Sequence, residues 1–141
     1  EAGFFINAGG KINFDSAKLL RTDYEASEGK EIFLTIDDTK NDLMLALLRL
    51  RIPFMPFRKE ISAGTALIRE IHTFGQQIPI GTNGNIQHAG FGKMLLAEAE
   101  KIAAEEFSCK KILAIAGVGA REYFRKFGYG NDGPYVSKQL A

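Results

Sequence analysis

The chain has 141 residues, 45% of them hydrophobic, enough for one domain with its own core. Its formal net charge of +1 gives no global basic bias, so any nucleic-acid contact has to be a local patch. Cys109 is the only cysteine, which excludes an internal disulfide and a cysteine-cluster metal site; with His72 and His88 as the only histidines, no metal site is expected from this chain alone.

The longest apolar run, residues 43–48, is too short to cross a bilayer, and no signal-peptide pattern opens the chain. No membrane partner is expected, and a reducing cytoplasmic setting fits. The chain opens at Glu1 without a methionine, so a piece of a longer protein is expected, with residues 1–141 forming a single domain.

Residues 1–10 mix aromatics with Gly3, Gly9 and Gly10 and read as a loop or short edge strand; residues 1–20 as a whole carry no clear assignment. Asp15-Ser16 offers a cap for a short helical turn, and a strand begins within residues 21–24. Residues 30–36 (KEIFLTI) alternate, with Ile32, Leu34 and Ile36 on one face and Glu31, Phe33 and Thr35 on the other, as a half-buried strand does. The polar run DDTKND at 37–42 supplies turn chemistry. Residues 43–52 then run apolar into alternating Leu48-Arg49-Leu50-Arg51-Ile52, giving an antiparallel hairpin. A helix over 43–50 is the rival reading, disfavoured by that alternation and by Pro53. Residues 53–64 are a loop; Arg58 and Lys59, with Arg49 and Arg51, make the one locally basic neighbourhood, either a solvated loop or a phosphate-backbone contact.

Residues 65–73 (TALIREIHT) read as a central strand, and a shorter β-like piece follows at 77–80. Residues 87–106 (QHAGFGKMLLAEAEKIAAEE) are a glycine loop running straight into an amphipathic helix. Phe91, Met94, Leu95, Ala99, Ile102 and Ala103 recur at helical spacing, with Lys93, Glu100, Lys101 and Glu105 towards water. Residues 110–116 read as a buried strand and 117–119 as a tight turn. Residues 120–127 form a second amphipathic helix with Tyr123, Phe124 and Phe127 inward, ended by Gly128, and 135–140 form a last strand. The order predicts a mixed α/β (α+β) domain with one sheet, mainly antiparallel in its first half, and helices packed against it.

The glycine loop carries the chemistry. Gly90 and Gly92 leave nearby amides unshielded, and the helix that follows offers unpaired N–H groups and the positive end of its dipole to a phosphate or pyrophosphate. A Walker loop is excluded by Gln87 and Met94, which stand where glycine and Ser or Thr are needed. A dinucleotide fingerprint at Gly117-Val118-Gly119 has Glu122 at its third small position and no later strand unit for the ribose-binding acid. Gln87-His88-Ala89-Gly90-Phe91-Gly92 meets the third pattern, Gln/Arg-x-x-Gly-x-Gly/Ala, in full. It resembles the pyrophosphate loop of the GCN5-related N-acetyltransferases (GNAT), which bind acetyl-coenzyme A. FRKFGY at 124–129 resembles that superfamily's late helix.

The runs TDYEAS (22–27), RLRIP (49–53), REIHTFG (69–75), QHAGFGK (87–93), AEKIAAEEF (99–107) and GPY (133–135) together resemble the acetyltransferase domain of the Elongator catalytic subunit. The resemblance implies a GNAT-type fold and acetyl-coenzyme A as cosubstrate. It also implies a radical S-adenosylmethionine domain earlier in the chain, carrying an iron–sulfur cluster and S-adenosylmethionine, and tRNA as partner through its wobble uridine. It places the pyrophosphate on the amides of Gly90, Phe91, Gly92 and Lys93, with Gln87 shaping the turn. Glu70, Ile71, His72 and Thr73 match the strand whose backbone pairs with the pantetheine arm and polarises the thioester carbonyl. Glu70 and His72 share a face and are candidates for proton transfer.

Where the family has two tyrosines this chain has Tyr123-Phe124. The second normally lies near the thioester sulfur, so Phe124 is expected beside the coenzyme and Tyr123 becomes the candidate proton donor. By the same resemblance Lys11, Lys18, Arg21, Arg49 and Arg51 are candidates for tRNA backbone contacts. Two other functions compete: a generic acetyltransferase of protein lysine or a small amine, and a non-catalytic coenzyme-binding regulatory module, which Phe124 favours. Cys109 is expected to be inert.

Overall fold

The computed structural model describes residues 16–26, 28–54, 64–74, 90–116 and 118–140. The predicted hairpin is its best-formed part: β2 (Gly29–Asp38) pairs antiparallel with β3 (Leu43–Pro53) around a turn organised by Asp38. That carboxylate is fully buried and accepts hydrogen bonds from the Lys40 and Asn41 amides, the Asn41 side chain and the Ser16 hydroxyl. On the outer side β1 (Ala17–Glu25) pairs with β2 along its whole length. It starts four residues before the predicted strand. As an edge strand it is largely exposed on both faces, so no apolar alternation announces it.

On the inner side β3 pairs with β4 (Thr65–Thr73), which stands in the middle of a seven-stranded sheet of order β1-β2-β3-β4-β5-β7-β6. The remaining strands are β5 (Lys111–Ile115), β6 (Gly130–Asp132) and β7 (Tyr135–Gln139). All neighbours are antiparallel except β4 and β5. Sequence reading missed β6, whose three residues are too few for any period to register.

Helix α1 (Phe91–Lys101) continues into a wider π-helical turn, Ile102–Glu106. It covers one face of the sheet, with Phe91, Leu95, Leu96, Ala99, Ile102 and Ala103 packed against Ile32, Leu34, Ile36, Leu48 and Leu50. Eleven residues are too few for a stable isolated helix, so this burial, about 2 kcal/mol for each large apolar side chain, is what holds it. Two assignments within the helix need correction. Met94 is 46% exposed and Leu96 takes its place in the core. Glu100 does not face water but accepts hydrogen bonds from Tyr129 and Lys138.

Helix α2 (Val118–Arg125) begins two residues earlier than predicted, so Val118 and Gly119 are helical and do not form a tight turn. Gly128, with φ 95°, ends the turn after it as expected. The β-like piece at 77–80 and the basic loop residues Arg58 and Lys59 lie outside the described residues.

One irregularity decides where the sheet opens. The β3–β4 register shifts so that Arg49 faces Glu70 while Leu50 faces Ile68, leaving Arg69 as a bulged extra residue. On the other side, parallel pairing with β5 covers only residues 65–68. A bulge bends its strand and increases local twist. From Arg69 to Thr73, β4 is therefore bonded to β3 on one edge, and no described strand pairs with the other.

Candidate functional site

Beside this open edge lies a cleft of about 540 Å³. Its described walls are Ile71, His72 and Thr73 of β4 on one side, and Ala120, Tyr123, Phe124, Lys126 and Phe127 of α2 and the turn after it on the other. The α2 wall follows from its sequence: positions 120, 123, 124 and 127 lie on one helical stripe. Phe124 is 2% exposed, with its ring edge-on to Tyr123 at 5.7 Å and to Tyr129 at 5.2 Å. Tyr123 also meets Phe127 at 5.2 Å, and the His72 ring lies 4.6 Å from that of Phe74.

The start of α1 meets two of these wall residues, Tyr123 and Thr73, at Gly92. Gly90 is left-handed at φ 78°, a conformation that costs glycine nothing. The first intrahelical bond runs from the Met94 amide to the Gly90 carbonyl at 3.0 Å, so the Gly92 and Lys93 amides have no acceptor within the helix. Among the described residues no side chain caps this end, and no acidic residue stands in its first turn to offset the helix dipole. A Cβ on Gly92 would overlap the Tyr123 hydroxyl and lie 3.8 Å from Thr73 Cγ2. Thus the end of β4, the mouth of α1 and the middle of α2 meet at one glycine. Burial pushes the Tyr123 phenol above its usual value of 10.0, so it stays protonated at neutral pH.

Of the sequence candidates, Ile71, His72, Thr73, Tyr123 and Phe124 line the cleft, and Gly90, Phe91, Gly92 and Lys93 form the α1 mouth. Gln87 lies outside the described residues. Glu70 is not among the lining residues: its carboxylate accepts a hydrogen bond from Arg49 at 3.0 Å. The arginines considered for tRNA are likewise engaged within the chain. Arg21 binds Asp23 and Glu106, Arg49 binds Glu70 and stacks 4.6 Å from the Phe33 ring, and Arg51 binds Glu31. Lys18 is exposed, and Lys11 is outside the described residues. Sequence reading missed Ala120, Phe127 and Lys126 as cleft residues; the spacing of Phe127 from Tyr123 and Phe124 was the available signal. Cys109 is buried, which pushes its thiol up and away from the reactive thiolate.

A mostly antiparallel sheet that opens after its central strand, with glycines at the start of the next helix, is the fold of the GCN5-related N-acetyltransferases. A spermidine/spermine N-acetyltransferase from Vibrio cholerae shares it, with a TM-score of 0.52 at 13% identity over 78% of this chain. No protein-family model matches the chain. It is 52% identical over 126 residues, 87% of its length, to the tRNA uridine(34) acetyltransferase of Methanocaldococcus infernus. It is 46% identical over 134 residues to Elongator complex protein 3 of Schizosaccharomyces pombe. The structure of N-terminally truncated Elp3 from M. infernus superposes with a TM-score of 0.82 at 50% identity, covering 91% of this chain and 31% of that one.

This chain is a homologue of one segment of the tRNA uridine(34) acetyltransferase and Elongator complex protein 3 family, as its motifs indicated. It spans 24% and 25% of the length of these two curated relatives. Among the described residues, no helix is long and apolar enough to cross a membrane.

Proposed function

We propose that this chain is the acetyl-coenzyme A-binding acyltransferase domain of an enzyme that modifies uridine 34 of tRNA. It works beside a radical S-adenosylmethionine domain elsewhere in the same protein, which holds the iron–sulfur cluster; a cytoplasmic location accords with this reading. One observation carries the proposal. The edge of β4 over residues 69–73, which no described strand pairs, leads to the amides of Gly92 and Lys93, which have no acceptor within the helix, with the Tyr123 hydroxyl at the junction. An extended chain bearing amides pairs with a free strand edge as an added strand does. A diphosphate suits an uncapped helix start. Coenzyme A carries both groups in that order.

Bound there, the coenzyme supplies the acyl carbon as a thioester. The chain's residues do the rest. A β4 amide polarises the carbonyl, Tyr123 supplies the proton that the departing sulfur needs, and the apolar wall of Phe124 and Phe127 excludes water. His72 stands exposed at the cleft, placed to take a proton from the acceptor. Glu70, held by Arg49, serves the strand and not the reaction.

Titration of the chain with coenzyme A tests the pocket: heat of binding and a rise in melting temperature are expected, and neither appearing contradicts the reading. Thioester turnover that needs tRNA supports the uridine enzyme; turnover with an amine alone supports a generic acetyltransferase. A coenzyme-binding module without catalysis is the second reading. It is favoured by Phe124, a ring without a hydroxyl at the place of the family's second tyrosine.

A further inference from the structure

Among the described residues lining the cleft, Lys126 brings the one permanent cation. Its neighbours on α2 are already engaged. Arg125 pairs with Glu122, and Arg121 donates to the Asn131 side chain and the Pro134 carbonyl. Lys126 is exposed, and its ammonium has no carboxylate partner among the described residues. Its backbone amide is bonded to the Glu122 carbonyl at 3.4 Å, which anchors the base of the side chain in the turn that follows α2. An ammonium with no described carboxylate partner, beside an aromatic wall, is a site for an anionic group of whatever fills the cleft.

We propose that Lys126 is a specificity residue for the ribose 3′-phosphate of the coenzyme, so that the cleft selects coenzyme A over its 3′-dephospho form. The proposal rests on the coenzyme reading above. On that reading the diphosphate occupies the amides at the mouth of α1, next to Gly92 and the Tyr123 hydroxyl. Lys126 stands three residues beyond Tyr123, in the turn that follows α2. The coenzyme's other phosphate hangs from the ribose adjoining the diphosphate, and Lys126 lines the cleft that holds Tyr123. An ammonium adds a point charge without fixed geometry, which suits a dianion at the rim of the cleft.

The test is calorimetric titration of the full chain and of Lys126→Gln and Lys126→Arg with coenzyme A and with 3′-dephospho-coenzyme A. The unchanged chain is expected to bind coenzyme A about tenfold more tightly than the dephospho form, in line with a charge-assisted hydrogen bond. Lys126→Gln should erase that preference by weakening coenzyme A alone, while Lys126→Arg keeps it. A preference that survives Lys126→Gln, or an equal loss for both ligands, overturns the proposal and leaves the coenzyme reading intact. Lower affinity for tRNA with the coenzyme preference unchanged assigns the lysine to RNA and also overturns it. Failure of every chain to bind either ligand overturns both this inference and the coenzyme reading.

Discussion

The Tyr123 hydroxyl rests against the bare Cα of Gly92, the second residue of α1. A methyl at Gly92 cannot share that space, so Gly92→Ala should destabilise the chain by about 2 kcal/mol through overpacking. Removing the hydroxyl leaves the Tyr123 Cζ position 3.1 Å from the new methyl, a tight but tolerable contact. The double variant Gly92→Ala/Tyr123→Phe should therefore recover most of the loss in a denaturant titration. Additive losses would show that the two residues do not meet.

In the proposed reaction the same hydroxyl is the proton donor. Tyr123→Phe should lower kcat for thioester cleavage about a hundredfold with KM little changed. Because burial raises the phenol above 10.0, the alkaline fall in the rate of the unchanged chain belongs above that pH. Phe124→Tyr should bring no gain, since that ring is fully buried between Tyr123 and Tyr129. A clear increase in turnover on adding the second hydroxyl would shift the donor role to position 124.

Glu100 ties α1 to the last strand. The buried Tyr129 donates to its carboxylate at 2.8 Å and Lys138 at 3.1 Å. Glu100→Ala strands the Tyr129 hydroxyl and should cost about 1–3 kcal/mol, whereas Glu100→Ala combined with Tyr129→Phe should cost less than Glu100→Ala alone. Thermal melts of the variants measure this, and a silent Glu100→Ala would exclude the tie.

Arg21 clamps the edge strand to the end of the π-helical turn through Asp23 at 2.8 Å and Glu106 at 2.7 Å. Hydrogen bonds from Arg21 hold both carboxyls below their ordinary range. With the folded values depressed, the stabilisation is complete at neutral pH and is lost as pH falls through the carboxylate range, about 4 and below. The groups are partly solvated, so the loss is no more than about 1 kcal/mol and shrinks in salt. Hydrogen exchange of β1 amides should show easier opening at pH 3 than at pH 7, and Arg21→Gln should abolish the difference. A difference that persists in Arg21→Gln would place its origin elsewhere.

The elements with a clear period were legible in the sequence: the β2–β3 hairpin, β4 and the core stripe of α1 each show the spacing of their class. So were the two glycines at the start of α1, Gly90 with its left-handed backbone and Gly92 packed against Tyr123. Properties set by the partner strand were not. The bulge at Arg69 depends on the register of β3, and the open edge of β4 depends on where β5 stops. The fate of the arginines was hidden for the same reason. Arg49 reads as a free cation in its own strand and is neutralised only because Glu70 faces it from the next.

The central claim is most directly tested by a crystal structure of the chain with coenzyme A. The account predicts the diphosphate on the amides of Gly92 and Lys93 and the pantetheine arm alongside residues 69–73 of β4. Coenzyme seated on any other surface, with the β4 edge and the α1 mouth left clear, would contradict it.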